Sequence, residues 1–120
     1  MPISPGDILE IDAEAAVGHE QQGRRPALVV SVEALQSTLG LAMVCAVTTH
    51  GGRSEGARND LEVPIPPGLI IKGVVLPHQV RTIDCKARNA KKLCAVPRET
   101  LQATRSRLKT LLGLSQIRLP

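Results

Sequence analysis

At 120 residues the chain is long enough for one hydrophobic core and too short for two, so residues 1–120 are read as a single domain. Fifteen Lys and Arg against eleven Asp and Glu give a net charge of +4 and an isoelectric point near 9.3, compatible with a polyanionic partner. Abundant Val, Ile and Leu exclude a disordered chain, and the absence of Phe, Trp and Tyr requires an aliphatic core and a nucleic-acid site without aromatic stacking.

The three cysteines, Cys45, Cys85 and Cys94, form no CxxC pair, which argues against a disulfide scaffold and against a zinc site. No apolar run reaches a membrane-spanning length and Met1 to Ser4 lacks the features of a signal peptide, so a soluble cytoplasmic protein is expected.

After Pro5-Gly6, the alternation from Asp7 to Asp12 predicts a strand with one wet face. Ala27 to Val32 and Leu41 to Val47 are apolar runs of strand length and predict central strands, with a short helical piece from Glu33 to Thr38 closed by Gly40. His50 to Asp60, with three glycines and two arginines, reads as a loop. Short strands are expected at Leu61 to Val63 and Gly73 to Leu76 around a proline-rich turn, then at Gln79 to Ile83 and Leu93 to Val96. Pro97 opens an amphipathic helix with Leu101, Leu108, Leu111 and Leu112 on one face and Gly113 as its stop. Up to seven short strands and a closing helix predict a mainly β (α+β) fold, a small antiparallel barrel. Charge is uneven along it: Asp7, Glu10, Asp12, Glu14 and Glu20 crowd the start, whereas Arg81 to Lys109 is basic, which predicts a basic face.

Most catalytic chemistries find no support. The glycines lack phosphate-loop spacing, His19, His50 and His78 are far apart and in no metal-binding pattern, and Cys45 lies inside an apolar run. No metal and no cofactor are expected. What remains is Arg24-Arg25 before Pro26, at the mouth of one strand, and Thr48-Thr49 at the end of another. If these strands pair, Arg25 and Thr48 converge on one rim, where a guanidinium fork and a hydroxyl suit a phosphate. Alternatively the arginines only solvate a strand edge and the threonines cap it; spacing leaves both readings open.

The ordered blocks "Pro5-Gly6-Asp7-Ile8", "Gly18-His19-Glu20-Gln21-Gln22-Gly23-Arg24-Arg25-Pro26-Ala27", "Val47-Thr48-Thr49", "Gly73-Val74-Val75-Leu76" and "Gln79-Val80-Arg81-Thr82-Ile83-Asp84" resemble the MazF/PemK family of toxin endoribonucleases. The resemblance runs from about residue 5 to about residue 112. It implies an SH3-like barrel with short additional helices, a homodimer, metal-independent cleavage of single-stranded messenger RNA, and a cognate MazE-like antitoxin. It places the family's catalytic arginine on Arg25 and its catalytic threonine on Thr48, an acidic loop residue on Glu20, and RNA contacts on Gln79 and Arg88. Thr49 and Arg81 stand in the same blocks, and Arg24 adds positive field to the groove.

RNA carries its own nucleophile, the 2′-OH, so the protein need only align it, stabilise the phosphorane and protonate the leaving 5′-oxygen. Guanidinium groups stay protonated, so Arg25 is assigned to the phosphorane and the leaving group, and Thr48 to a non-bridging oxygen. His19 is the expected general base, with Glu20 as second candidate. Cys85 replaces the tryptophan some members carry, and the 50–60 loop lacks a Tyr-Pro-Phe element, so base recognition is expected from backbone groups, Arg58 and Asn59. Two other readings are a barrel that binds RNA or protein without cleavage, and a topoisomerase-inhibiting toxin of related fold.

Overall fold

A computed structural model describes residues 2–13, 23–49 and 59–114. The elements, in chain order, are β1 (Asp7–Asp12), β2 (Arg24–Val29), α1 (Glu33–Leu39), β3 (Leu41–Thr48), β4 (Val63–Pro64), β5 (Val74–Asp84), β6 (Lys91–Ala95) and α2 (Arg98–Leu111). The strands form one antiparallel sheet in the order β4-β5-β3-β2-β1-β6. This half-barrel, with six strands and two helices among the described residues, is the expected mainly β class of up to seven short strands.

Period-two alternation divides the buried residues between the two faces of the sheet. Leu9, Ile11, Ala27, Val29, Ala42, Val44 and Ile83 form one cluster, capped by Ile3 and Cys85. Ile8, Leu28, Cys45, Val47 and Val75 form the other, covered by Leu101, Ala103 and Leu108 of α2. With no Phe, Trp or Tyr available, both clusters consist of aliphatic side chains, Cys and Ala. Burial pushes the Cys45 thiol up to about 12, so it stays a neutral packing group.

β4 occupies Val63–Pro64 and not Leu61 to Val63, β6 occupies Lys91–Ala95 and not Leu93 to Val96, and three further elements differ from the sequence expectation. β2 occupies Arg24–Val29 and not Ala27 to Val32, because its pairing with β1 begins at Arg24 opposite Asp12. The two strands expected at Gly73 to Leu76 and Gln79 to Ile83 are one strand, β5, interrupted by a bulge: Cys45 faces Val80, but the next residue, Ala46, faces Leu76. In α2, Leu101 and Leu108 pack inward, whereas Leu111 and Leu112 lie at the fraying end and are exposed.

The acids of β1 are consumed inside the fold. Asp7 is buried, accepts a hydrogen bond from Ser4 N at 2.9 Å and pairs with Lys92 at 3.2 Å. Two cations of α2 are similarly engaged, Arg105 donating to the Val30 carbonyl through Nε and Nη2, and Arg107 to that of Asp60. No helix among the described residues is long and apolar enough to cross a membrane.

Candidate active site

The β2–β3 ladder stops at Ala46, next to a bulge in the β3–β5 ladder, which then resumes and runs to Thr48 opposite Val74. On one side, β2 pairs with β3 only through Ala27, Leu28 and Val29, opposite Ala46, Cys45 and Val44. The next residue back is Pro26, which has no N–H to continue the ladder. On the other side, Pro77, His78 and Gln79 are extra residues looped out of β5 opposite the Cys45–Ala46 step. The sheet therefore opens on the β2 side of the end of β3, beside the β5 bulge, leaving a cleft of about 780 Å3 lined by Arg24, Arg25, Thr48, Thr49, Gln79 and Arg81 above a floor of Ala27, Val44, Ala46, Leu76 and Val80.

Continuing the β2–β3 register by two residues sets Arg25 across from Thr48, on the face that carries Ala27 and Ala46. Arg25 is exposed, and no hydrogen bond or ion pair joins its guanidinium to another described residue. A strand-mounted cation and a hydroxyl thus face one opening, an arrangement that suits a phosphate.

Arg24 does something different. Its Nε donates to Glu10 Oε1 at 3.0 Å and its Nη1 to Asp12 Oδ1 at 2.6 Å. Nη2 donates to the carbonyls of Glu10, at 2.7 Å, and Asn89, at 2.6 Å. The Glu10 hydrogen bond, followed by that to Asp12, raises the guanidinium's already high pKa. Sequence reasoning gave Arg24 to the groove's field; it lines the cleft, but its charge and donors are spent on β1 and the turn after β5.

That turn completes a clamp. Asn89, at φ 52°, donates from Nδ2 to Asp12 Oδ2 at 2.8 Å, and Arg88 Nη1 donates to the Asp12 carbonyl at 2.9 Å. Ala13 N donates to Gly23 O at 3.0 Å, closing the base of the segment between β1 and β2. The Asn89 amide first, then Arg24, hold the Asp12 carboxyl below the usual carboxylate range. A carboxyl depressed in the folded state stabilises it above its unfolded pKa, and that contribution is lost as pH falls through the folded one. We expect Asp12→Asn to be less stable than wild type at neutral pH and the difference to shrink in acid below the carboxylate range, as read by denaturation at a series of pH values.

Of the residues singled out from sequence, Arg25, Thr48, Thr49, Gln79 and Arg81 meet at the cleft together with Arg24. Asn59 and Arg88 do not line it: Asn59 Oδ1 accepts from Leu61 N and Glu62 N in a turn, and Arg88 serves the clamp. His19, Glu20 and Arg58 lie outside the described residues.

Sequence reasoning missed Gly73. Its φ is +142°, and a Cβ there would lie 2.1 Å from the Thr48 carbonyl oxygen and 3.2 Å from Thr49 Cγ2. The backbone of β5 is thus seated directly on that of Thr48, a contact only glycine permits. Its signal was a glycine directly preceding an apolar strand.

A profile of the family described as PemK-like, MazF-like toxin of type II toxin–antitoxin systems matches residues 4–112. The chain belongs to this family. Among PemK-like and MazF-like relatives, endoribonuclease PemK of Escherichia coli is 38% identical over 109 residues, covering 89% of this chain and 80% of the relative. Endoribonuclease toxin MazF of Escherichia coli K12 is 32% identical over 108 residues, covering 90% and 92%. A crystal structure of MazE–MazF from Deinococcus radiodurans superposes with a TM-score of 0.85 at 35% identity, covering 96% of this chain and 99% of that one. The PemK/MazF half-barrel is therefore the frame on which the cleft is built.

Proposed function

We propose that the chain is an endoribonuclease toxin that cleaves single-stranded RNA at this cleft, and that Arg25 and Thr48 carry the chemistry. The observation that carries the reading is their placement on neighbouring strands, lining one cleft where the β2–β3 ladder ends beside the β5 bulge. PemK-like and MazF-like relatives bearing the name endoribonuclease support it.

The 2′-OH attacks the adjacent phosphorus, forming the 2′-O–P bond as the P–5′-O bond breaks. Arg25 offsets the charge gathered on the phosphorane and donates a proton toward the leaving 5′-oxygen, and Thr48 donates to a non-bridging oxygen. His19, or Glu20 in its place, receives the 2′ proton. Thr49, Gln79 and Arg81 contact the RNA at the cleft, and Arg58, Asn59 and Arg88 are further RNA contacts on this reading. Because the nucleophile belongs to the substrate, the reaction needs no metal and no cofactor.

The protein acts as a cytoplasmic homodimer and is silenced by a cognate antitoxin; the MazE–MazF assembly from Deinococcus radiodurans supports such a partner. Incubating the purified chain with a mixed-sequence single-stranded RNA in EDTA tests the proposal. Discrete fragments are expected, and RNA that stays intact in every sequence context sinks it.

A further inference from the structure

The cleft contains more than the Arg25–Thr48 pair needs. Beside it lies an aliphatic floor at whose centre Ala27 and Ala46 stand directly opposite each other. They occupy the same face as Arg25 and Thr48, two residues further along each strand, about 7 Å away by strand rise. That separation is comparable to the reach from a phosphate to the base of its own nucleotide.

Two alanines keep the lining small at this point, where a larger side chain at position 46 would take up cleft space, and Val44, Leu76 and Val80 complete the apolar lining. A base that leaves water in this protein has no Phe, Trp or Tyr to stack on, because the chain has none. Burying its face on alanine and leucine methyls is an alternative that the lining of this cleft offers. At the rim stands Gln79, thrown outward by the bulge in β5 and exposed. No hydrogen bond joins its amide to another described residue. A primary amide offers donors and an acceptor side by side, which matches the edge of a nucleobase.

Resting on the endoribonuclease reading, we propose that the Ala27–Ala46 floor seats the nucleobase adjoining the scissile phosphate, with Gln79 reading that base's edge and Ala46 setting the size accepted. Gln79 and Ala46 are thus specificity-determining residues, separate from the groups that act on phosphorus.

The test is a map of cut sites in a randomised single-stranded RNA pool, read by sequencing the new ends, for wild type, Gln79→Leu and Ala46→Leu. Gln79→Leu should weaken the base preference at one position adjoining the cut by about tenfold or more. Ala46→Leu should shift that same position toward pyrimidines, other positions being unchanged. Should Ala46→Leu fail to fold, Gln79→Leu, at an exposed site, decides alone. Unchanged maps, a loss uniform over all sequences, or changes at a position remote from the cut overturn the seat and leave the nuclease reading standing. A pool left intact by wild type overturns both.

Discussion

Arg25→Ala is expected to slow RNA cleavage by about 10³-fold or more, with the thermal unfolding midpoint unchanged. The guanidinium is exposed and holds no other described residue in place, so no contact among the described residues depends on it, whereas the charge building on the phosphorane does. Arg24→Ala is the matched comparison, one residue away with the same chemistry. It strips the countercharge from Glu10 and Asp12 and the donor from the Asn89 carbonyl, and is expected to lower the unfolding midpoint. Single-turnover rates and thermal scans on both variants check the division. Equal losses of rate and stability from the two arginines would contradict it.

Gly73→Ala is expected to be the most damaging single methyl addition near the site. The new Cβ meets the Thr48 carbonyl at 2.1 Å, and the backbone angle of +142° is one that alanine resists. Steric crowding and strain together put the cost at about 2–5 kcal/mol of stability. Since neither carbonyl nor strand can yield without moving Thr48, cleavage should fall by about 10²–10³-fold, the loss expected when one transition-state donor is removed. A double-mutant cycle separates the two effects: in a Thr48→Ala background, Gly73→Ala should cost little further rate while still costing stability. A fully additive loss of rate would show that Gly73 does not act through Thr48.

Local pattern made much of this fold legible. Alternation placed β1, apolar length placed β3, and Pro97, the leucine spacing and Gly113 bracketed α2. That Arg25 and Thr48 line one cleft also followed, given that their strands were neighbours. What stayed hidden are relations between strands. Pro26 sits inside β2, and its missing N–H matters only because β3 lies on that side. Pro77 and His78 read as a gap between two strands, with Gln79 opening the second, because a bulge is defined by its partner's register. Arg24 and Arg25 look alike in sequence; the alternation of β2, with Asp12 opposite Arg24 and Ile11 opposite Arg25, gives them opposite tasks. Gly73 and the Ala27–Ala46 floor are likewise visible only once the strands are side by side.

The central claim is that the 2′-OH of RNA is the nucleophile and that Arg25 and Thr48 stabilise its attack. End-group analysis of single-turnover products in EDTA, on an RNA with one 2′-deoxynucleotide at a mapped cut, tests it most directly. The account predicts 2′,3′-cyclic phosphate and 5′-OH ends at every unmodified cut and none at the deoxy position. Cleavage that persists there, or products ending in 3′-OH and 5′-phosphate, would contradict it.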